Sequence, residues 1–474
     1  VIRRVLAALT VMASGCFAPA PLVTQAPSRY VLSVRDDVAS SSDSAIAAVQ
    51  RLGGSATVNT PATVIAIVRA SVIRDSLWVA NDTARVLVTG PWRRWLAAAE
   101  YDGLIQLPID STVDLASTQE LGGLLSVTWG VDAVGARAAW AMGARGDGVT
   151  VASNDSGMDP HPGYILAGGY NAVTRSETGW GDTMPECRSH GMHVGGTMSD
   201  RTGRGVAPGS TVFGIQVFEL IGGQCLSYAS NQIAGINWAV SKGAACVNQS
   251  ISGGPSYSVT QAVLAANARG TVVVRANGNS GAPPPQGTLP EIQTASVGGG
   301  LTRSNFSNPG PTTDLAAPGE GVESTMPGGY GTKSGTSMAA PHVCGVVALV
   351  KSIAPQLSAD SMLALLQATA LPLGSPTPND NTGWGLVRAD RAIAGLLGGV
   401  GIAAPATDTV LSAAPLPAQT CKPVVALGSW SASANVPWIR VTTTPDSLCY
   451  TIDSALVPGG MSTVTGTITT RSNP

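Results

Sequence analysis

The sequence predicts an α/β protein with a mainly parallel sheet flanked by helices on both faces, preceded by a small α+β unit and followed by a small β-sandwich. Three observations carry this. Between about residues 124 and 398, short apolar runs of strand length alternate with helical patterns, the mark of a sheet whose crossovers are helices. Residues 28–112 mix strand-like alternation with helical stretches. After an Ala- and Pro-rich linker at 399–420, residues 421–474 are rich in Thr and Val without a helical period, which reads as β structure.

In the first unit, strands are expected at 30–35, 62–68, 85–89 and 104–109. Helices are expected at 44–52, ended by Gly53-Gly54, and at 91–100, where Pro91 suits a first turn. Residues 110–123 are polar and loosely patterned, a linker. In the central region, strands are expected at 149–152, 212–216, 246–249 and 271–274, and helices at 227–241, 259–268, 337–353 and 358–368.

Composition narrows the function. The chain has 474 residues and a net charge of -2, with 12% of residues charged, about half the usual share. Nucleic acid or an anionic membrane requires a basic surface that this balance does not supply. Aromatics make up 5%, so the core must be built from Ala, Val, Ile and Leu. A bilayer span needs about 20 apolar residues; the best internal stretch, 393–406, is shorter and contains Pro405, so no transmembrane span is expected.

The N-terminus reads differently. Val1-Ile2-Arg3-Arg4 is basic, residues 5–13 are apolar, and Ser14-Gly15-Cys16 is small, the layout of an export signal over residues 1–16. Ala13-Ser14-Gly15-Cys16 is similar to a bacterial lipobox, whose Cys is lipidated, with Ala13 in place of the usual Leu. An ordinary secretory signal fits as well. The expected location is extracytoplasmic, either secreted or held at the surface by lipid on Cys16. Cys16 apart, six of the seven cysteines remain, an even number suited to an oxidising compartment. No C-x-x-C pair points to zinc. Cys421 and Cys449 are candidates to staple the C-terminal sandwich, whereas Cys246 and Cys344 either pair or stay buried thiols.

The chain has four histidines, His161, His190, His193 and His342. A hydrolase with a His base must choose among them. Ser337 lies in Ser334-Gly-Thr-Ser-Met-Ala-Ala-Pro-His342 and opens a helix that is apolar nearly all round, hence buried. A Ser at such a helix start sits beside free N–H groups and a positive dipole end, which favours an oxyanion; in isolation it would be a plain helix cap. A serine hydroxyl needs a base, and His190 opens the glycine-rich His190-Gly-Met-His-Val-Gly-Gly-Thr197. His193, without a third ligand nearby, reads as a hydrogen-bonded structural His. Asp155 ends a strand and precedes Ser156-Gly157, where α/β sheets place their sites, although an Asp before Gly also makes turns. Asp159 is the rival carboxylate. Asn279 closes Val272-Val-Val-Arg-Ala-Asn-Gly-Asn279 and offers an amide to an oxyanion, against a turn reading of Asn277-Gly278.

Together these segments resemble, motif by motif, the subtilisin-like serine proteases, over about residues 124–398. The order Asp, His, Ser is that of subtilisin. Asn154-Asp-Ser-Gly-Met-Asp159 resembles the family's Asp motif, and His190-Gly-Met-His-Val-Gly-Gly-Thr197 its His motif. Ala276-Asn-Gly-Asn279 resembles the oxyanion motif, and Gly335-Thr-Ser-Met-Ala-Ala-Pro-His342 the nucleophile motif. Asn154, Met192 and Asn277 depart from the usual residues without removing a catalytic group.

The resemblance implies that Ser337 attacks a peptide carbonyl, His190 moves the proton, Asp155 orients His190, and Asn279 stabilises the oxyanion. Asn248-Gln-Ser-Ile-Ser-Gly-Gly254 is similar to the segment that binds substrate as an added strand, through Ser250, Ile251, Ser252 and Gly253. Asp314 falls where some relatives place a calcium ligand. Cys187 and Cys225 match a bridge of the proteinase K-like branch. Residues 28–112 resemble the inhibitory propeptide, with self-cleavage expected between Asp110 and Thr128. The C-terminal unit resembles a BACON-type module, which implies carbohydrate or surface binding, although two core tryptophans explain its pattern equally.

The sequence thus predicts a secreted serine endopeptidase acting through an acyl-enzyme and made as a self-processing zymogen. The chemistry requires no cofactor, and structural calcium is an additional implication. The expected partners are protein or peptide substrates and the chain's own propeptide, and a monomer is expected. The alternative is a catalytically retired surface-binding protein on a protease scaffold.

Overall fold

The computed structural model of the chain describes residues 27–34, 41–51, 55–60, 63–69, 77–79, 86–88, 96–107, 128–251, 256–283, 290–397, 420–423, 430–434, 439–444, 447–452 and 468–472. The export signal with Cys16, the substrate residues Ser252 and Gly253, residues 110–127 of the expected cleavage region and the linker at 399–419 lie outside the described residues. Contacts divide the chain into two units, one ending at Asp102 and the next beginning at Gly103.

The first unit contains β1 (Pro27–Val34), α1 (Ser41–Arg51), β2 (Ser55–Thr60), β3 (Thr63–Arg69), β4 (Leu77–Val79), β5 (Val86–Val88) and β6 (Leu96–Tyr101). Its strands form one antiparallel sheet in the order β2-β3-β1-β6-β5-β4. Period-two alternation sends Leu32 and Val34 to one face, where they pack with Ala45, Ala48 and Val49 of α1 and with Val64, Ala66 and Leu96.

The helix expected over 91–100 is corrected here. Leu96–Tyr101 is a strand, paired with β1 from Tyr30↔Tyr101 to Val34↔Leu96. The run Leu-Ala-Ala-Ala-Glu favours a helix by local propensity. The strand form puts Leu96 in the core and satisfies the second edge of β1, a long-range gain that outweighs propensity.

The second unit begins with β7 (Leu104–Gln106), α2 (Trp129–Ala133), α3 (Ala136–Ala141), β8 (Thr150–Asp155) and β9 (Leu166–Asn171). It continues through α4 (His190–Ser199), β10 (Thr211–Gln216), β11 (Glu219–Ile221), β12 (Gln224–Tyr228), α5 (Ala229–Ser241) and β13 (Cys246–Gln249). Next come α6 (Tyr257–Ala268), β14 (Val272–Ala276), β15 (Ile292–Val297), β16 (Leu315–Pro318), β17 (Val322–Met326) and β18 (Gly329–Lys333). The last helices are α7 (Thr336–Ile353), α8 (Ala359–Thr369) and α9 (Ala389–Leu396).

A seven-stranded parallel sheet runs β16-β15-β14-β13-β8-β10-β9. Every residue of β13, β14, β15 and β16 is buried, as expected of parallel strands covered on both faces. α7 supplies much of the core, with Val343, Val346, Val347 and Leu349 fully buried. It packs close because Gly345 has no side chain: a Cβ there would lie 2.6 Å from Val206 Cβ.

The strand order also locates the site. β8 lies between β10 and β13, so successive strands are laid to one side of β8 and then to the other. Ligands bind at the carboxyl end of such a switch point. Asp155 is the last residue of β8.

Beyond the linker, β19 (Thr420–Pro423), β20 (Trp430–Ala434), β21 (Ile439–Thr444), β22 (Ser447–Ile452) and β23 (Ile468–Ser472) form two antiparallel sheets, β19-β22-β21 and β20-β23. The register places Cys421 directly opposite Cys449.

Candidate active site

Asp155 reaches the site from β8 and His190 from the first residue of α4. His190 Nδ1 lies 2.7 Å from Asp155 Oδ1, and the two groups are 1% and 0% exposed. A carboxylate accepts at Nδ1, so the proton sits there and Nε2 is the basic nitrogen. The Ser156 N–H donates to the same Asp155 oxygen at 2.7 Å. Asp159, the rival carboxylate, does not reach His190: its main-chain oxygen accepts from the Tyr164 hydroxyl at 2.6 Å, in the turn that follows.

α4 approaches β8 closely because it is glycine-rich. A Cβ on Gly191 would lie 2.2 Å from the Gly157 carbonyl oxygen, so that position requires glycine. The polypeptide before α4 is tied down by the Cys187–Cys225 disulfide. His193 is fully buried and its Nε2–H donates to the carbonyls of Val322 and Gly331. Burial lowers its pKa well below the usual histidine value, so it is a neutral structural group. His342 is equally structural, donating from Nδ1 to Met338 O at 2.8 Å. His161 contacts Gly329 O through Nε2 at 2.9 Å.

Ser337 is the second residue of α7 and fully buried. Its Oγ lies 3.4 Å from Ser250 O, while Ser250 Oγ donates to Ser337 O at 2.6 Å. The start of α7 and the segment after β13 are thereby locked together. N–H groups in the first turn of a helix lack intrahelical acceptors, so the Ser337 N–H and the dipole end are directed at this spot.

Asn279 is oriented by the same helix start. Its Oδ1 accepts from the Thr336 N–H at 2.8 Å and from the Thr336 hydroxyl at 2.7 Å. The Gly278 N–H in turn donates to Thr336 Oγ1 at 3.0 Å. With Oδ1 fixed, the amide NH₂ must point the other way, and Nδ2 is buried with no hydrogen-bond partner among the described residues. A buried donor held without an acceptor is costly unless an acceptor arrives, and a fixed N–H donor is what a developing oxyanion needs. Asn279 is marked in the sequence by its motif, whereas the part Thr336 plays in orienting it is visible only in the fold.

The three unusual residues are accommodated. Asn277 Nδ2 donates to Asn308 O and Thr313 Oγ1. Met192 is buried, and its carbonyl accepts from Thr325 Oγ1. Asn154 Nδ2 donates to Gln232 O.

β12 lies between β11 and β7 in a three-stranded antiparallel sheet, and β7 pairs with it in register Leu104↔Tyr228 to Gln106↔Leu226. The Leu107 N–H then donates to Cys225 O at 3.1 Å. Residues 104–107 thus bind as an added strand, and belong to the second unit rather than to the sheet before Asp102.

Cys246 and Cys344, left open by the sequence, form a disulfide joining β13 to α7. Asp314, where the resemblance places a calcium ligand, is hydrogen-bonded within the fold. Its Oδ2 accepts from the Gln293 N–H at 2.9 Å and its Oδ1 from Gln367 Nε2 at 3.2 Å. Nitrogen donors occupy both carboxylate oxygens, and among the described residues no group of three or more His, Cys, Asp or Glu side chains is arranged to hold a metal.

A parallel sheet flanked by helices thus carries a paired Asp and His at the β8 switch point and a Ser at the start of a buried helix. Comparison with known proteins identifies the family. Residues 146–385 match the Subtilase family. Subtilisin BL from Lederbergia lenta is 36% identical over 276 residues, covering 56% of this chain and 98% of that protein. Alkaline elastase YaB from Bacillus sp. (strain YaB) is 36% identical over 286 residues, 58% of this chain and 72% of that one. Among solved structures, fervidolysin from Fervidobacterium pennivorans, a keratinolytic enzyme related to subtilisin, superposes with a TM-score of 0.60 at 25% identity, over 77% of this chain and 61% of its own. The chain belongs to the subtilase family and is a serine-type endopeptidase.

Proposed function

We propose that the chain hydrolyses peptide bonds with Ser337 as nucleophile, His190 as base and Asp155 as its orienting carboxylate, and that it is exported as a zymogen that processes itself. The observation that carries this reading is the buried 2.7 Å contact of Asp155 with His190 at the switch point, on a helix that packs against α7. Ser337 Oγ attacks the substrate carbonyl as its proton passes to His190 Nε2. The Asn279 amide and the Ser337 N–H stabilise the resulting oxyanion. The imidazolium, held by Asp155, returns the proton to the leaving amine, and water then releases the acyl group by the same route.

Substrate is read as extended backbone between Ser250–Gly253 and β12. The pairing of residues 104–107 with β12 supports the inhibitory role of residues 28–112, because that strand occupies an edge a substrate would use. Export is supported by the N-terminal pattern and by the two disulfides. Lipid on Cys16, a Cys421–Cys449 bridge, a monomeric state and surface or carbohydrate binding by the C-terminal unit are parts of the same proposal. A retired binding scaffold is not favoured, since no catalytic group has been lost.

Ser337→Ala is expected to lower kcat by about 10⁶-fold, as for the corresponding loss in subtilisin, and to leave residues 28–112 attached. A variant that still processes itself, or a wild-type enzyme that a fluorophosphonate fails to label at Ser337, would remove Ser337 from the mechanism.

A further inference from the structure

Eight positions before His190 lies Asp182, in Gly179-Trp-Gly-Asp-Thr183. It is 8% exposed, and the mechanism above does not use it. Ser156 bridges this carboxyl to the catalytic one. Its N–H donates to Asp155 Oδ1 at 2.7 Å, and its hydroxyl donates to Asp182 Oδ2 at 3.1 Å. The same hydroxyl accepts the Gly191 N–H at 2.8 Å, in the first turn of α4. Ser189, at the N-cap of α4, makes no side-chain cap bond. Asp182 and Ser156 therefore take over that role from outside the helix that carries His190. The other oxygen, Asp182 Oδ1, is buried without a hydrogen-bond partner among the described residues.

We infer that Asp182 is a positioning residue of the protease: a second carboxylate that, through Ser156, anchors the start of the His190 helix and adds negative charge beside the Asp155–His190 pair, strengthening His190 as a base. This rests on the triad reading given above.

Burial first, and then the charge of Asp155, push the Asp182 carboxyl up to about 7, against the opposing pull of the Ser156 hydroxyl, His190 and the Met192 N–H. The groups around it are Asp155 from β8, His190 from α4, and Tyr164 and Asp159 from the segment after β8. Tyr164 feels the Asp182 charge, and Asp159 Oδ1 sits 2.6 Å from the Cβ position of Gly181. The negative charge of Asp182 favours the imidazolium, so removing it lowers the pKa of His190.

Asp182→Asn keeps an acceptor for the Ser156 hydroxyl and removes the charge. In the processed enzyme, the acid limb of kcat/KM against pH is expected to move down, by up to about one unit, since Asp182 ionises in the same near-neutral range. The alkaline plateau is expected to fall by up to about tenfold, the equivalent of one pKa unit. An acid limb that stays in place or moves up overturns the inference, because a purely structural cap would leave it unmoved. If the variant does not fold, carbon-13 NMR of the aspartate carboxyls in the inhibited wild-type enzyme decides. An aspartate carboxyl that is ionised by the top of the acid limb is expected, and a buried aspartate that stays protonated above the acid limb overturns the inference. Fluorophosphonate labelling of Ser337 reports on the triad independently: labelled wild type with an unmoved acid limb refutes the role of Asp182 alone.

Discussion

The helices that carry Ser337 and His190 are both buried, but they are held in different ways. α7 is buried from Thr336 through Lys351 and is apolar around its circumference; a disulfide ties it to β13. α4 is buried over its whole length, yet its neighbours hold it through polar atoms. Ser324 and Thr325 hydroxyls donate to the His193 and Met192 carbonyls at 2.7 Å, and Ser156 and Asp182 hold its first turn. Apolar packing is indifferent to pH, whereas a polar scaffold with a carboxylate is not. Ser337 is therefore set by packing, and the environment of His190 is open to electrostatic adjustment.

The largest test of this contrast is on α7. Replacing Cys246 and Cys344 together by Ala opens a loop of 98 residues and is expected to cost up to about 5 kcal/mol in the chain-entropy description of a cross-link. Urea unfolding of the inhibited enzyme measures it, with kcat near that of wild type as long as the protein is folded. A loss below about 1 kcal/mol would mean that packing alone holds the helix.

A smaller effect is expected at Asn279, which the start of α7 orients. Asn279→Ala removes the donor oriented by Thr336 and should lower kcat by about 10² to 10³, with little change in KM. Single-turnover kinetics separates this from binding, and an unchanged rate would place the oxyanion elsewhere.

The third test asks whether α7 is indifferent to pH throughout. Burial lowers the pKa of His342 to about 4 from the model-peptide 6.5. The unfolded chain therefore takes up a proton first as pH falls. The stability tied to neutral His342 is present above about 6.5 and is lost progressively between there and about 4. His342→Gln should make the unfolding free energy less steep across that window, by about 2 kcal/mol between pH 8 and pH 4.5. An equal slope in both proteins would mean that His342 does not titrate with unfolding. The acid response of α7 thus lies well below the near-neutral range assigned to Asp182.

Much of the site was legible in the sequence because its parts are local. Gly335-Thr-Ser-Met-Ala-Ala-Pro-His342 carries the proposed nucleophile, the helix start and the buried face in one run, and the His190 segment is similarly compact. Asn279 was legible as a residue, but its orientation depends on Thr336, 57 positions away. Asp182 left no mark at all: an acidic residue in a glycine-containing loop reads as a solvated turn until Ser156 is found against it. The strand Leu96–Tyr101 was misread for a related reason. Its alanines favour a helix, and only the unpaired edge of β1 decides otherwise.

The sequence by itself determined the alternation of strands and helices and the apolar face of α7, since each is written in neighbouring residues with a period of two or 3.6. Tertiary structure alone decided which cysteines meet, how the Asn279 amide is turned, why both Asp314 oxygens face nitrogen donors and which second carboxylate stands beside Asp155. These are contacts between segments far apart in the chain, and their energy depends on burial and distance that no local pattern encodes.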